Sequence, residues 1–220
     1  TSRATATTLT ADYGVPAARI TIAPPGTDPA PLAACDHAGV PRLLSVGTLV
    51  PRKGHDLLIA ALATLRDLPW RLVIVGDAGR DPSTTAALHQ QIADAGLDDR
   101  IALVGAVSPG DLQQHYLAAD LFVLASRYEG YGMVYAEAIA HGLPVVGTTA
   151  GAIAEAVPEG AAVLVPPEDV AALAAALRRL LSDSTARDRL AQAARQTASS
   201  LPRWQDSASL FATTLLAAQA

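Results

Sequence analysis

Six short apolar runs, separated by longer segments with helical spacing, constrain the fold of this chain most strongly. The runs show no polar alternation, which is typical of strands covered on both faces of a parallel sheet. The predicted strands fall at residues 42–47, 71–76, 101–105, 121–125, 144–148 and 162–166. The predicted helices between them fall at 55–68, 83–96, 109–120 and 133–142. This alternation predicts an α/β fold, a doubly wound, Rossmann-like parallel sheet of about six strands with right-handed crossovers.

The two ends of the chain depart from this alternation. Residues 1–13 have a weak helical pattern, and residues 19–33 predict a short strand followed by a Pro-rich connector. After the last strand, three successive helices are predicted, at 167–182, 184–200 and 204–218. We therefore divide the chain into three parts, a connector (1–38), a Rossmann-like domain (39–200) and a C-terminal helix (201–220).

The C-terminal helix has a larger apolar face than a terminal helix needs. Its members are Trp204, Leu210, Phe211, Leu215 and Leu216. The face either packs on this same domain or docks on a partner domain outside this sequence. The chain begins at Thr1, and its only methionine is Met133, so either its start was processed away or, as we expect, it is a piece of a longer protein.

Composition excludes several classes of protein. Half of the residues are apolar and 17% are charged, which argues against disorder. A net charge of −5 argues against a nucleic-acid partner. The sequence has no apolar run long enough for a membrane span and no visible signal peptide. The single cysteine, Cys35, allows no internal disulfide and fits a reducing, cytoplasmic compartment.

The loop after the first strand carries the only lysine of the chain. Lys53 stands beside Arg52, in a sequence that otherwise uses arginine fifteen times. An isolated Arg-Lys pair is commonly a solvated turn, but ligands of open α/β sheets bind beyond the carboxyl ends of the strands. A compact ammonium there suits a phosphate. Gly47 allows the chain to turn after the strand, and Gly54 precedes the next helix.

The stretch "YEGYGMVYAEA" follows the fourth strand and gathers the second set of candidate residues. Glu129 lies in the loop, Gly130 and Gly132 follow, and a helix is predicted to start near Met133. The free N–H groups of such a helix start bind anions, a diphosphate in particular. Glu137, one turn further, could accept two hydrogen bonds from ribose hydroxyls. The alternatives are a loop charge or cap for Glu129 and a solvent-facing position for Glu137.

Other chemistries leave no pattern in the sequence. We find no DxD pair and no His/Cys cluster with ligand spacing, so no metal and no cofactor is expected. No G-x-G-x-x-G follows the first strand, which argues against a dinucleotide-dependent dehydrogenase. His141 ends the helix after Met133, and we interpret it as a favourable helix-end charge.

The segment "SRYEGYGMVYAEAIAHGLPVV" resembles the signature of family 4 retaining glycosyltransferases, which have the GT-B fold. Glu129 and Glu137 stand at the spacing of that signature. The resemblance continues in order over roughly residues 20–182, through "LLSVGTLVPRKGHDLLIAALATL", "RLVIVGDAG" and "AVLVPPEDVAALAAAL". It implies the C-terminal, donor-binding half of an enzyme that moves a sugar from a nucleoside-diphosphate sugar to an acceptor hydroxyl. It also implies a missing N-terminal domain, without which this piece alone would be inactive.

The resemblance assigns a role to each candidate residue. Arg52 and Lys53 would neutralise the donor diphosphate, and Glu129 would contact hydroxyls of the transferred sugar near the reacting carbon. Backbone amides at the helix start would hold phosphate oxygens, Glu137 would bind the ribose, and backbone groups after the third strand would touch the base. The implied donor-binding residues are Gly47, Val104, Gly105, Tyr131, Gly132, Met133, Val134 and Glu137.

Two positions depart from the family's pattern. Thr48 stands where the family commonly has an arginine, so either one phosphate contact is lost or Arg52 supplies it. Ala152 follows Gly151 where the family often has a second glycine, which places a methyl where the backbone would approach the sugar.

The identity of the acceptor stays open, as a sugar, a lipid or a small molecule. We expect a cytoplasmic enzyme, and the missing half leaves a peripheral position at the inner membrane face open. Two alternative functions remain at this point. One is another GT-B enzyme, a sugar-nucleotide epimerase or a phosphorylase, and the other is a non-catalytic nucleotide-sugar-binding domain.

Overall fold

A six-stranded parallel sheet forms the centre of the molecule in a computed structural model that describes residues 1–34 and 39–217. Its order is β3-β2-β1-β4-β5-β6. The strands are β1 (Arg42–Val46), β2 (Arg71–Val75), β3 (Ile101–Gly105), β4 (Leu121–Val123), β5 (Val145–Thr148) and β6 (Ala162–Val165). The predicted doubly wound, Rossmann-like sheet is therefore confirmed. Cys35, on which the redox prediction rests, lies outside the described residues.

Helices flank the sheet and close the C-terminal end of the chain. They are α1 (Arg3–Tyr13), α2 (His55–Ala63), α3 (Pro82–Asp94), α4 (Pro109–Ala118), α5 (Met133–Ala140), α6 (Ile153–Ala156), α7 (Val170–Ser182), α8 (Ser184–Thr197) and α9 (Trp204–Ala217). Short 3-10 turns occupy Ala17–Arg19, Pro51–Lys53 and Ala198–Ser200. None of the helices in the described part of the chain is long and apolar enough to cross a membrane.

The strand order reverses between β1 and β4. Leu43 of β1 pairs with Leu72 on one side and with Leu121 on the other. Because all strands are parallel, the loops that follow β1 and β4 leave the same edge of the sheet side by side. In doubly wound sheets the crevice at this reversal is where ligands bind.

Separate hydrophobic cores cover the two faces of the sheet. On one face α2, α3 and α7 bury side chains such as Leu58 and Leu177 against the strands. On the other face α4, α5 and α8 enclose Tyr116, Phe122 and Tyr135. Burial on both faces explains why the strands read as unbroken apolar runs.

The structure corrects several predicted boundaries. No strand forms within residues 19–23, since Pro24 and Pro25 lack the N–H groups that would extend a ladder. Helix α2 ends at Ala63 rather than residue 68. Helix α7 begins only at Val170, where the Asp169 side chain accepts a hydrogen bond from the Ala172 amide and caps the first turn. The four-residue helix α6 was not predicted from the sequence.

Candidate functional site

Arg52, Lys53 and Glu129 meet at the reversal between β1 and β4. Lys53 Nζ donates a hydrogen bond to Glu129 Oε1 at 2.7 Å. Arg52 Nη1 lies 3.2 Å from Glu129 Oε2 and donates to the Tyr128 carbonyl at 2.8 Å. The side chains of Lys53 and Glu129 are 12% and 8% exposed, so this ion pair lies largely out of water.

The loop after β1 is shaped to deliver the two cations. Pro51 starts a 3-10 turn over Pro51–Lys53, and Gly54 ends it with a left-handed φ of 65°. A Cβ at Gly54 would lie 2.0 Å from the Ala125 carbonyl oxygen, so only glycine allows this approach to the end of β4. A Cβ at Gly47 would meet the Lys53 side-chain carbons at 3.1–3.3 Å, which shows that the lysine stem crosses this glycine.

The Glu129 loop is fixed from two sides. Ser126 Oγ donates to Glu129 Oε1 at 2.7 Å, and the Ala152 amide donates to the Glu129 carbonyl at 2.9 Å. A Cβ at Gly151 would lie 2.2 Å from that same carbonyl oxygen, and Gly151 has a φ of 60°. The carboxylate therefore sits in a rigid backbone frame.

Arg127 fastens the loop after β1 to the loop after β4. Its guanidinium donates two hydrogen bonds to the Asp56 carboxylate at 2.8 Å and further ones to Glu168 and to the Pro51 carbonyl. The Arg127 amide also donates to the Arg52 carbonyl at 2.8 Å. The hydrogen bonds to Asp56 raise the pKa of the Arg127 guanidinium above its ordinary value. Arg127 thereby positions the turn that carries Arg52 and Lys53.

The start of α5 offers free amides beside this cluster. Gly132 caps the helix with a φ of 96° and no side-chain cap. Hydrogen bonds begin with the Tyr135 and Ala136 amides, which donate to the Gly132 carbonyl. Within residues 1–34 and 39–217, the Met133 and Val134 amides donate to no protein acceptor. Such free amides are the groups that bind phosphate oxygens at a helix start.

Glu137 lies on α5 in a small polar cluster with Tyr116 and His141. Tyr116 Oη donates to Glu137 Oε2 at 2.9 Å, and burial followed by the charge of Glu137 raises the pKa of Tyr116. The Tyr116 ring stacks on His141 with centroids 4.7 Å apart. Only one oxygen of Glu137 is used in this bond, so the other can accept from a ligand.

The structure corrects the interpretation of His141 as a helix-end charge. The residue is 6% exposed, and its Nδ1 lies 2.8 Å from the Pro31 carbonyl, to which it donates. Burial lowers the pKa of the ring, so the neutral form is favoured at pH 7. His141 fastens the connector to α5 instead of complementing the helix dipole.

A cleft of about 510 Å³ opens on the outer side of Glu137. One wall comes from α4 and α5, with Gln113, Met133 and Glu137. The other wall comes from the connector at residues 26–30 and from Trp204. The two residues predicted to touch the base, Val104 and Gly105, lie at the end of β3 and are not in the described lining of this cleft.

The predictions for Ala152 and Tyr131 concerned space and side chains open to a ligand, and both residues are buried in the structure. Ala152 is fully buried, so its methyl packs in the interior and does not narrow the space open to a ligand. Tyr131 is 8% exposed, which leaves little of its ring accessible. Thr48, partly exposed, follows Gly47 without supplying the family's cation.

Sequence reasoning missed three residues that hold the candidate side chains in place. Ser126 bonds Glu129, Arg127 joins the two loops, and Tyr116 bonds Glu137. Ser126 and Arg127 stand within three residues of Glu129, so their closeness in the sequence could have indicated that they support it. Tyr116 lies 21 residues from Glu137, and nothing in the sequence indicated that the two side chains would meet.

In the part of the chain that the structure describes, no group of three or more His, Cys, Asp or Glu could hold a metal ion.

The fold and the site define an α/β protein of the Rossmann-like class, in which a parallel sheet presents two cations and a helix start at its topological reversal. The profile of the family "Glycosyl transferases group 1" matches residues 37–197. The chain belongs to this family. D-inositol 3-phosphate glycosyltransferase from Kineococcus radiotolerans is 35% identical over 212 residues, which cover 84% of this chain and 49% of the relative.

Solved structures agree with this assignment. Sucrose-phosphate synthase from Thermosynechococcus elongatus superposes with a TM-score of 0.82 at 29% identity, covering 100% of this chain and 57% of that one. Anabaena HepE in complex with UDP and glucose gives a TM-score of 0.74 at 30% identity, covering 81% and 48%. The chain spans about half or less of the length of three curated relatives that it matches.

Proposed function

We propose that this chain is the donor-binding half of a retaining glycosyltransferase that moves a sugar from a nucleoside-diphosphate sugar to an acceptor hydroxyl. The observation that carries the proposal is the meeting of Lys53 and Arg52 with Glu129 at 2.7 and 3.2 Å, beside the free amides of α5. The family match favours transfer over the epimerase and phosphorylase chemistry that the sequence left open. HepE, a relative in structure, was solved with UDP and glucose.

The physical basis is stabilisation of the leaving group. When the bond between sugar and diphosphate breaks, negative charge grows on the phosphate oxygens. Arg52, Lys53 and the amides of Met133 and Val134 are already in place, so they stabilise this charge more in the transition state than in the ground state. A metal ion supplies such positive charge in many phosphoryl and glycosyl transfers, and we propose that the cation pair supplies it here.

The sugar and the nucleoside would lie on opposite sides of the diphosphate. Glu129, on the β4 side, would accept hydrogen bonds from hydroxyls of the donor sugar. Glu137, in the 510 Å³ cleft, would accept from the ribose hydroxyls. The acceptor and any attachment to a membrane would depend on the N-terminal half of the proposed whole enzyme.

Isothermal titration of this chain with UDP, GDP and ADP tests the proposal. We expect at least one nucleotide to bind, and Lys53→Ala to weaken it by about tenfold or more, since a charge-assisted hydrogen bond is lost. Lys53 is the only lysine, so an exposed charge removal such as Arg80→Ala is the matched control and should leave binding unchanged. No binding of any of the three nucleotides at millimolar concentration would refute the assignment.

A further inference from the structure

We propose that Glu129 competes with the diphosphate for the cation pair. Its carboxylate neutralises Arg52 and Lys53 until a diphosphate draws the two cations away, and the freed oxygens then accept hydrogen bonds from hydroxyls of the donor sugar. This inference rests on the proposed function, because it concerns the same site. It makes the order of contacts explicit, with the diphosphate first and the sugar hydroxyls second.

The hydrogen bonds of Glu129 leave little room for any other order. Oε1 accepts from Lys53 Nζ and from Ser126 Oγ, both at 2.7 Å, and Oε2 accepts from Arg52 Nη1 at 3.2 Å. Both oxygens are therefore already engaged by protein donors. Three of the roughly four lone-pair sites of this 8% exposed carboxylate are thus occupied, and sugar hydroxyls can take more than one of them only when a cation leaves.

The two cations can leave, while Glu129 itself stays. Arg52 is 48% exposed, so its guanidinium has room to swing toward a ligand. The Lys53 stem crosses Gly47, which presents no side chain to stop it from moving along the loop. Ser126 keeps its bond to Glu129, because the Ser126 carbonyl is held by the Thr148 hydroxyl at 2.6 Å.

Charge decides the direction of the exchange. A diphosphate carries more negative charge than one carboxylate and offers oxygens on both phosphates, so it holds an ammonium and a guanidinium together. It also gains the free amides of Met133 and Val134, which Glu129 does not reach. The carboxylate thus keeps the largely buried Lys53 and the half-exposed Arg52 paired, at little cost to the ligand that replaces it.

This arrangement predicts an unusual effect of removing the Glu129 charge. Glu129→Gln keeps the shape of the side chain and its hydrogen bond from Ser126, but it weakens the hold on both cations. We expect inorganic pyrophosphate to bind about tenfold more tightly to this variant, which corresponds to one charge-assisted hydrogen bond. A residue that merely contacts the ligand would give the opposite sign or no change.

Glu137→Gln is the matched control. It makes the same chemical change eight residues away and alters the net charge equally, but Glu137 is bonded to Tyr116 and not to a cation. Its affinity for pyrophosphate should stay within about twofold of the parent chain, since only its bond from a neutral hydroxyl changes. If it tightens binding as much as Glu129→Gln, the effect is one of net charge and the proposal is overturned.

A double-mutant cycle isolates the competition. In a Lys53→Met background, Glu129 has lost its closest cation, so adding Glu129→Gln should tighten pyrophosphate binding by less than about threefold. A gain as large as in the parent chain would mean that Glu129 does not act through Lys53, and it would overturn the proposal.

The outcomes separate this inference from the proposed function. If the parent chain binds UDP but Glu129→Gln binds pyrophosphate no more tightly, the exchange is wrong and the donor site stands. If neither protein binds UDP or pyrophosphate, both proposals fall. Should Glu129→Gln not fold, a crystal structure of the parent chain soaked in pyrophosphate decides. Lys53 Nζ should then have moved from 2.7 Å to beyond hydrogen-bonding distance of Glu129 Oε1, and an unbroken pair beside bound pyrophosphate would refute the exchange.

Discussion

The orientation of Glu137 and of His55 depends on hydrogen bonds to residues that are distant in the sequence or lie in another element. Glu137 was predicted from its spacing to Glu129, but its orientation comes from Tyr116, whose hydroxyl lies 2.9 Å from it. His55 stands at the start of α2, and its Nε2 lies 3.1 Å from the Gly47 carbonyl. Both partners come from other elements of the fold, so the role of each side chain was only partly readable from its neighbours in the chain.

Tyr116→Phe should weaken binding of UDP without weakening binding of pyrophosphate. The variant removes one hydrogen bond that orients Glu137 in the proposed ribose site, which is worth about 0.5–1.5 kcal/mol, or roughly two- to tenfold in Kd. Pyrophosphate has no ribose and provides the control, as does 2′,3′-dideoxy-UDP, which should bind both proteins equally. An equal loss for pyrophosphate would mean that Tyr116 acts through the fold and not through Glu137.

Stability should fall between about pH 6.5 and pH 4 because of His55. Burial lowers the pKa of its ring from 6.5 to about 4. Between these two pH values the ring is protonated in the unfolded chain and neutral in the folded chain. Stability is then fully present above pH 6.5 and is lost as the pH falls, by about 3 kcal/mol in total. Urea unfolding at several pH values measures this loss.

His55→Gln is the comparison for this pH dependence, since an amide can donate to the Gly47 carbonyl without titrating. The variant should show a clearly flatter profile between pH 6.5 and pH 4. Part of the slope should remain, because burial also lowers the pKa of His141. Identical slopes in the two proteins would show that folding does not lower the pKa of His55.

The loop between β4 and α5 sets the backbone conformation in which α5 begins. Two glycines, Gly130 and Gly132, precede the helix start in this segment. The structure gives the two glycines different roles. Gly132 has a φ of 96°, and a Cβ there would lie 3.0 Å from the Tyr135 ring. A Cβ at Gly130 would meet nothing within 4 Å. Gly132 is thus required by the backbone of the helix start, and Gly130 is not.

Gly132→Ala should destabilise the protein, whereas Gly130→Ala should not. A left-handed backbone costs alanine about 1–2 kcal/mol, and the contact with Tyr135 adds to this. The Gly130 variant should stay within about 0.5 kcal/mol of the parent chain. Denaturant unfolding of the two variants makes the measurement, and equal effects would contradict the distinction between the two glycines.

Helix α9 carries an apolar surface that is not buried in either of the two hydrophobic cores. Along α9, Phe211, Leu215 and Leu216 are 61%, 63% and 69% exposed. The helix is anchored mainly at its first turns, where Ser207 bonds the Pro24 carbonyl and Gly26 approaches Trp204. Of the two interpretations offered by the sequence, packing on this same domain does not occur for this outer part of α9.

Phe211→Ser should therefore leave the stability of this chain nearly unchanged, within about 0.5 kcal/mol, because the side chain is already exposed. Leu58→Ala, in the core, should cost about 2–5 kcal/mol and provides the reference. Thermal unfolding of both variants checks this expectation. A loss at Phe211 comparable to that at Leu58 would mean that the face is buried on this domain in solution.

Patterns within short stretches of the chain were enough to predict the local structure and the kind of residue at the site. Apolar runs set the strands, helical spacing and Asp caps set most of the helices, and the spacing of Glu129 and Glu137 indicated the family. These features depend on interactions between residues close in the chain, so their patterns survive in the sequence.

Which of these residues meet depends on how distant parts of the chain pack together. Lys53 and Glu129 are 76 residues apart, and they touch because β1 lies beside β4 and not beside β6. That order results from the packing of both sheet faces at once, a sum over many distant contacts that no short pattern records. The same packing buried His141 and left the outer face of α9 in solvent.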